Sequence, residues 1–145
     1  MAQTTASGYR PHSPVAGLAL QTRVRGAAPT IALLVGAVLV GWSATIHLHL
    51  WMNGYRNVAT IGPLFLVQSI VGYLIAAAIA VTRRRFVALI GAGFLVSTIA
   101  GLLLSAWVGL FGFHDGFDAP FAGLSIVVEG VGALTLALGS AWRRA

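Results

Sequence analysis

The stretch TIHLHLWMNGYRNVATIGPLF, residues 45–65, ends one apolar run, turns through a short polar segment and starts another. Upstream lies IALLVGAVLVGWSA, residues 31–44, and downstream PLFLVQSIVGYLIAAAIAV, residues 63–81. Each run approaches the roughly 20 residues that a helix needs to cross a hydrocarbon core about 30 Å thick. Asn53-Gly54 between them suits a helix end, because glycine accepts the left-handed conformation that a C-cap requires. The stretch therefore reads as the turn of a transmembrane helical hairpin.

Composition carries that reading outward. The 145 residues are 58% hydrophobic and 8% charged, with a mean hydropathy of +0.89, too little polarity to cover a water-soluble globule. Four apolar segments are expected as helices, at about 31–52, 61–82, 86–110 and 120–141, with Pro29, Pro63 and Pro120 at or near helix starts, where a missing N–H costs nothing. Short connections force neighbours antiparallel, so the predicted fold is an all-α, up-down-up-down transmembrane four-helix bundle over residues 29–145. Residues 1–28, rich in Ser, Thr, Gly, Pro and Ala, have no long apolar run and read as a flexible cytoplasmic tail, with His12 inert within it.

Arginines set the expected orientation. All nine basic residues are Arg, and Arg10, Arg23, Arg25, Arg83, Arg84, Arg85, Arg143 and Arg144 fall on one side of the four segments. That side is expected to be cytoplasmic, placing both termini inside a bacterial cytoplasmic membrane. The pI near 11.5 comes from these helix-flanking arginines and points to lipid, not nucleic acid, as the partner. The opposite side holds Arg56, His114, Asp115 and Asp118, with an aromatic belt of Trp51, Tyr55, Phe111, Phe113 and Phe117. Arg56 can pair there with Asp115 or Asp118. The turns WMNGYR, residues 51–56, and FHDGFD, residues 113–118, share one pattern, and related hairpins and chance similarity both explain it.

The chain has no Cys, which removes disulfides, thiolate metal sites and Cys nucleophiles. It carries no P-loop, no G-x-S-x-G and no H-E-x-x-H, so it is not expected to be an enzyme. The candidate polar residues are few. His47, Gln68, Ser105 and Glu129 are predicted to form one layer in the outer third of the bundle, from helical depth counted at about 1.5 Å per residue. Glu129 is the one acid within a span and needs a partner or a proton. Three readings of the layer stay open: a structural clasp, a metal or haem site using His47 and Glu129 with His114 or Asp115, or a path for protons or a small solute. No cofactor is the expectation, with metal or haem as the alternative. His49 lies about 200° around the helix from His47 and is read as an interfacial anchor.

Helix 3 carries Gly93, Ser97, Gly101, Ser105 and Gly109, four residues apart. Small-xxx-small spacing permits close helix approach in lipid, so this stripe is expected to pack within the bundle or against another subunit, and enlarging Gly101 to disrupt assembly. The leading functional reading is a non-catalytic accessory or assembly subunit of a membrane complex, or a self-associating one. The alternative is a cofactor-binding or transport protein using the polar layer.

At HLHLWMNGYRNVATIGPLFLVQ, residues 47–68, and GLFGFHDGF, residues 109–117, the chain resembles small four-helix integral membrane proteins of actinobacteria, over about residues 30–141. That resemblance implies the four-helix architecture and a role for the outer turns. It assigns no activity and no functional residues.

Overall fold

The computed structural model describes residues 14–114 and 116–142. Arg10, His12, Asp115, Arg143 and Arg144 lie outside the described residues. The fold is all-α, with α1 Pro14–Met52, α2 Ile61–Thr82, α3 Arg85–Trp107 and α4 Ala122–Ala141, and a single 3-10 turn at Tyr55–Asn57. All four contain a segment long and apolar enough to cross a membrane, in α1 the part Ala27–Met52. In lipid, helices are the form in which such segments satisfy their own backbone polar groups.

Two boundaries differ from expectation by three residues or more. The first helix begins at Pro14, so residues 14–28 continue it where an irregular tail was expected. Pro14 is suited to the first helical position, and the Ala, Leu, Gln and Arg residues after it are good helix formers. Pro29 consequently lies inside α1, where it withholds one hydrogen bond from the preceding turn. At the other boundary, α3 ends at Trp107, three residues early, because Gly109 adopts φ +85° and its N–H returns to Leu104 O at 3.0 Å. By spacing Gly109 belongs to the stripe of small residues; in the fold it terminates the helix.

The turns at this end, called here the aromatic end, are built differently from one another. Gly54 takes a positive φ of 144°, as its position after α1 suggests. In the second turn the positive φ angles fall on Phe111 and Gly112, between Leu110 and Phe113, whose backbones exchange hydrogen bonds of 2.7 and 2.9 Å. Gly116, the sequence counterpart of Gly54, is not among the positive-φ residues. The two turns share a sequence pattern without sharing a conformation. At the opposite, arginine end, Arg83 in left-handed conformation and extended Arg84 connect α2 to α3. The Arg85 guanidinium donates to Trp142 O, tying the start of α3 to the end of α4.

Packing is uneven around the bundle. α1 lies against both α2 and α4, and α4 against α3, while α2 and α3 meet far less. The core of Leu33, Val40, Ile79, Leu95 and Leu136 fills the half toward the arginine end. Glycines set how closely these helices approach. A Cβ on Gly132 would lie 2.6 Å from Leu95 Cδ1, one on Gly72 2.8 Å from Ala44 Cβ, and one on Gly36 would overlap Leu136. The stripe on α3 does not do this work within the chain: a Cβ on Gly93 or Gly101 meets nothing within 4 Å, and Ser97 is exposed. The small residues that matter for internal contact lie outside the stripe, Gly36 on α1, Gly72 on α2, Gly91 on α3 and Gly132 on α4.

Overpacking a filled contact costs about 1–3 kcal/mol. Gly132→Leu is therefore expected to lower the unfolding midpoint of the protein in mild detergent, and Gly101→Leu to leave it near that of the parent chain. Equal losses for the two variants would contradict the packing described.

Candidate functional site

The half of the bundle toward the aromatic end is hollow between α2 and α3. A cavity of about 350 Å³ is lined from α2 by Phe65 and Gln68, from α3 by Thr98 and Ser105, and from α1 and α4 by His47 and Glu129. Leu64, Val67 and Val71 on its α2 rim are exposed, as is Ser97 on its α3 rim, so the cavity opens sideways at the seam where lipid would lie. Its size falls in the roughly 300–1,000 Å³ range of small-molecule sites, and its walls are mostly apolar with a few converging polar groups.

Those polar groups form a continuous chain across all four helices. His47 Nδ1 lies 2.8 Å from Ser43 O, one turn earlier in α1. A carbonyl can only accept, so the proton is on Nδ1. The amide nitrogen of Gln68 then donates to Nε2, at 3.0 Å. Both ring nitrogens are thereby used in the neutral tautomer, given the side-chain amide orientation in the structure. Ser43 Oγ donates to Glu129 Oε1 at 2.7 Å, linking α1 to α4. Thr98 from α3 also bonds the Glu129 side chain.

His47 and Glu129 do not make the direct pair their proximity suggests. Nδ1 and Oε1 are 4.0 Å apart, at the limit for an ion pair, while the Nδ1 proton has Ser43 O at 2.8 Å. The shorter contact is the better hydrogen bond. Ser43, absent from the expected layer, is the actual intermediary: its backbone holds the imidazole and its hydroxyl holds the carboxyl group. The i, i+4 spacing of Ser43 and His47 on one apolar face was the available signal, and Thr98 gave none by spacing.

Aromatic side chains close the cavity toward the turns. Phe65 meets the His47 ring edge to face at 5.2 Å and stacks on Tyr55 at 4.9 Å, and Tyr55 meets Phe113 edge to face at 5.8 Å. Within the expected belt, Tyr55 and Phe113 are thus turned partly inward, whereas Phe111 and Phe117 are exposed. His49 is exposed on the far side of α1, with its ring edge to face on Phe121.

The remaining sequence candidates separate from this site. Ser105 is buried on the α3 wall of the cavity, Gly101 lines it, and Gly93 lies outside it. Arg56 and Asp118 are both exposed, and among the described residues they form no ion pair; Asp115 lies outside those residues. His114 is exposed and folds over Gly109. Among the described residues no three of His, Asp and Glu come together as a metal centre would need, so His114 does not join His47 and Glu129.

The geometry defines a small four-helix, multi-pass membrane protein with a polar chain beneath a lateral cavity. No protein-family model, no curated protein and no solved structure matches the chain.

The groups that bond Glu129 are uncharged hydroxyls, and an amide keeps both its shape and its acceptor. Glu129→Gln is expected to change unfolding free energy by less than about 1 kcal/mol, the scale of hydrogen-bond changes between membrane helices. Glu129→Leu, which leaves Ser43 without its acceptor, is expected to cost more. Unfolding of the two variants side by side in detergent tests this, and Gln behaving as badly as Leu would exclude it.

Proposed function

We propose that this chain is a non-catalytic protein of the bacterial cytoplasmic membrane that holds a membrane-soluble small molecule in the cavity between α2 and α3. One observation carries the reading: the bundle is packed solid toward the arginine end, yet toward the aromatic end it keeps an open cavity with hydrogen-bonding groups at its floor. A void of this kind forfeits dispersion contacts and is maintained at a cost unless something fills it. A binding role also suits His47, whose nitrogens are both occupied by structural bonds, leaving no free lone pair for a general base.

The arginines support an orientation with both termini cytoplasmic. Arg83, Arg84 and Arg85 lie at one end of the bundle and Arg56 at the other. Because the chain has no Cys, single cysteines report topology without background. In intact cells, Asn57→Cys is expected to react with an impermeant maleimide and Arg84→Cys only after lysis; the reverse pattern would invert the orientation.

A second reading, an accessory or assembly subunit, is favoured by the small residues Gly93 and Ser97, which face outward beside the seam. A partner helix or a second copy could approach closely there. The mass of the gently extracted particle separates the readings. A lone chain carrying a bound small molecule supports binding, and Gly101→Leu, which fills the cavity, is expected to lose that molecule while remaining folded. A stable assembly with other proteins, and no bound small molecule, would favour the accessory role.

A further inference from the structure

The unused hydrogen-bonding groups of the cavity specify what kind of molecule it takes. Ser125, on α4, is buried to 7% exposure and lines the cavity, yet its hydroxyl makes no hydrogen bond among the described residues. Gln68, on the α2 wall, uses its amide nitrogen toward His47, and its carbonyl oxygen has no partner among the described residues. Ser97 donates its hydroxyl proton to Phe94 O at 2.7 Å and turns only lone pairs toward other groups, and the Thr98 hydroxyl is committed to Leu95 O, at 2.7 Å, and to Glu129. The lining thus presents acceptors together with the Ser125 hydroxyl, which can donate or accept, and the second amide proton of Gln68.

Charge narrows the ligand further. Among the described residues no Arg lines the cavity, the Nδ1 proton of His47 is committed to Ser43 O, and Glu129 stands at the floor. An anionic head group would find no cation there and a carboxyl group close by. A cationic head would lose its hydration at membrane depth, which is costly. The group that fits is uncharged and both donates and accepts.

Resting on the binding role proposed above, we infer that the cavity takes a neutral lipophile bearing a hydroxyl group. The hydroxyl sits on the floor between Gln68 and Ser125, and the apolar body runs out through the α2–α3 seam past Leu64, Val67 and Val71. Buried polar groups left unpaired are penalised, so a ligand hydroxyl is preferred over an equally apolar head that cannot donate.

The test uses the full chain in lipid nanodiscs and a photoactivatable diazirine analogue of hexadecanol. Labelling is expected on α2 and α3 peptides that line the cavity, and Gly101→Leu is expected to abolish it. Unlabelled hexadecanol is expected to compete at about one-tenth the concentration required of methyl hexadecyl ether, hexadecanoate or hexadecylamine, the effect of one hydrogen bond. Ser125→Ala with Gln68→Leu should retain labelling but bring alcohol and ether within about twofold of each other. Ether, carboxylate or amine competing as well as the alcohol in the parent chain would overturn the hydroxyl assignment while leaving the binding role intact. Labelling that spares the cavity peptides, or that Gly101→Leu does not alter, would overturn the binding role itself.

Discussion

The close approach of α4 to α1 is the constraint on which the rest of the structure depends. Between helices in lipid there is little hydrophobic drive, so association rests on van der Waals contact and a few hydrogen bonds. Gly36 leaves room for Leu136, and Gly132 leaves room for Leu39 and Leu95, so side chains of three helices interlock at two levels along α4. Val40, Leu95 and Leu136 are excluded from the exterior as a result. The same approach places Ser43 within reach of Glu129. A polar contact at this depth is sustained because the helices that carry its two ends are held together by packing above and below it.

Once α4 is committed to α1 on one side and α3 on the other, and α2 to α1, the α2–α3 contact is left short. Only Arg83 and Arg84 separate these helices in the chain, so they meet near the arginine end, and Gly91 packs close to Ile75 and Ile79 there. Toward the aromatic end they part, and Gly101 faces open space. Gly93 and Gly101 on α3 therefore have an effect opposite to that of Gly91 on the same helix and of Gly132 on α4: where a neighbour is near a small residue draws it closer, and where it is not it widens the gap. The cavity is a property of this divergence more than of any single residue.

The polar chain gives the hollow half its order. Gln68, His47, Ser43 and Glu129 each satisfy a neighbour across or along helices, which fixes the imidazole tautomer and the depth of the carboxyl group. Buried polar groups joined in this way hold register, because shifting any one helix by a turn strands several donors and acceptors at once. Aromatic contacts among Phe65, Tyr55 and Phe113 extend that order to the turns.

The amino-acid sequence by itself determined the membrane environment, the number of helices and nearly all their limits, because apolar length and turn glycines act locally and the bilayer restricts backbone to helix. It also placed His47, Gln68 and Glu129 at similar depth, since depth follows from counting residues along a helix. Tertiary structure decided what no local pattern encodes. Which glycines are in contact depends on which helices are neighbours, so the regular stripe on α3 faces a cavity and lipid while irregularly spaced Gly36, Gly72 and Gly132 make the close contacts. Ser43 became the bridge between His47 and Glu129 only because the rotation of α1 against α4 aims its hydroxyl across the interface. The continuation of α1 to Pro14 and the end of α3 at Gly109 were settled by helix propagation and by the conformation of one residue, which composition alone does not weigh.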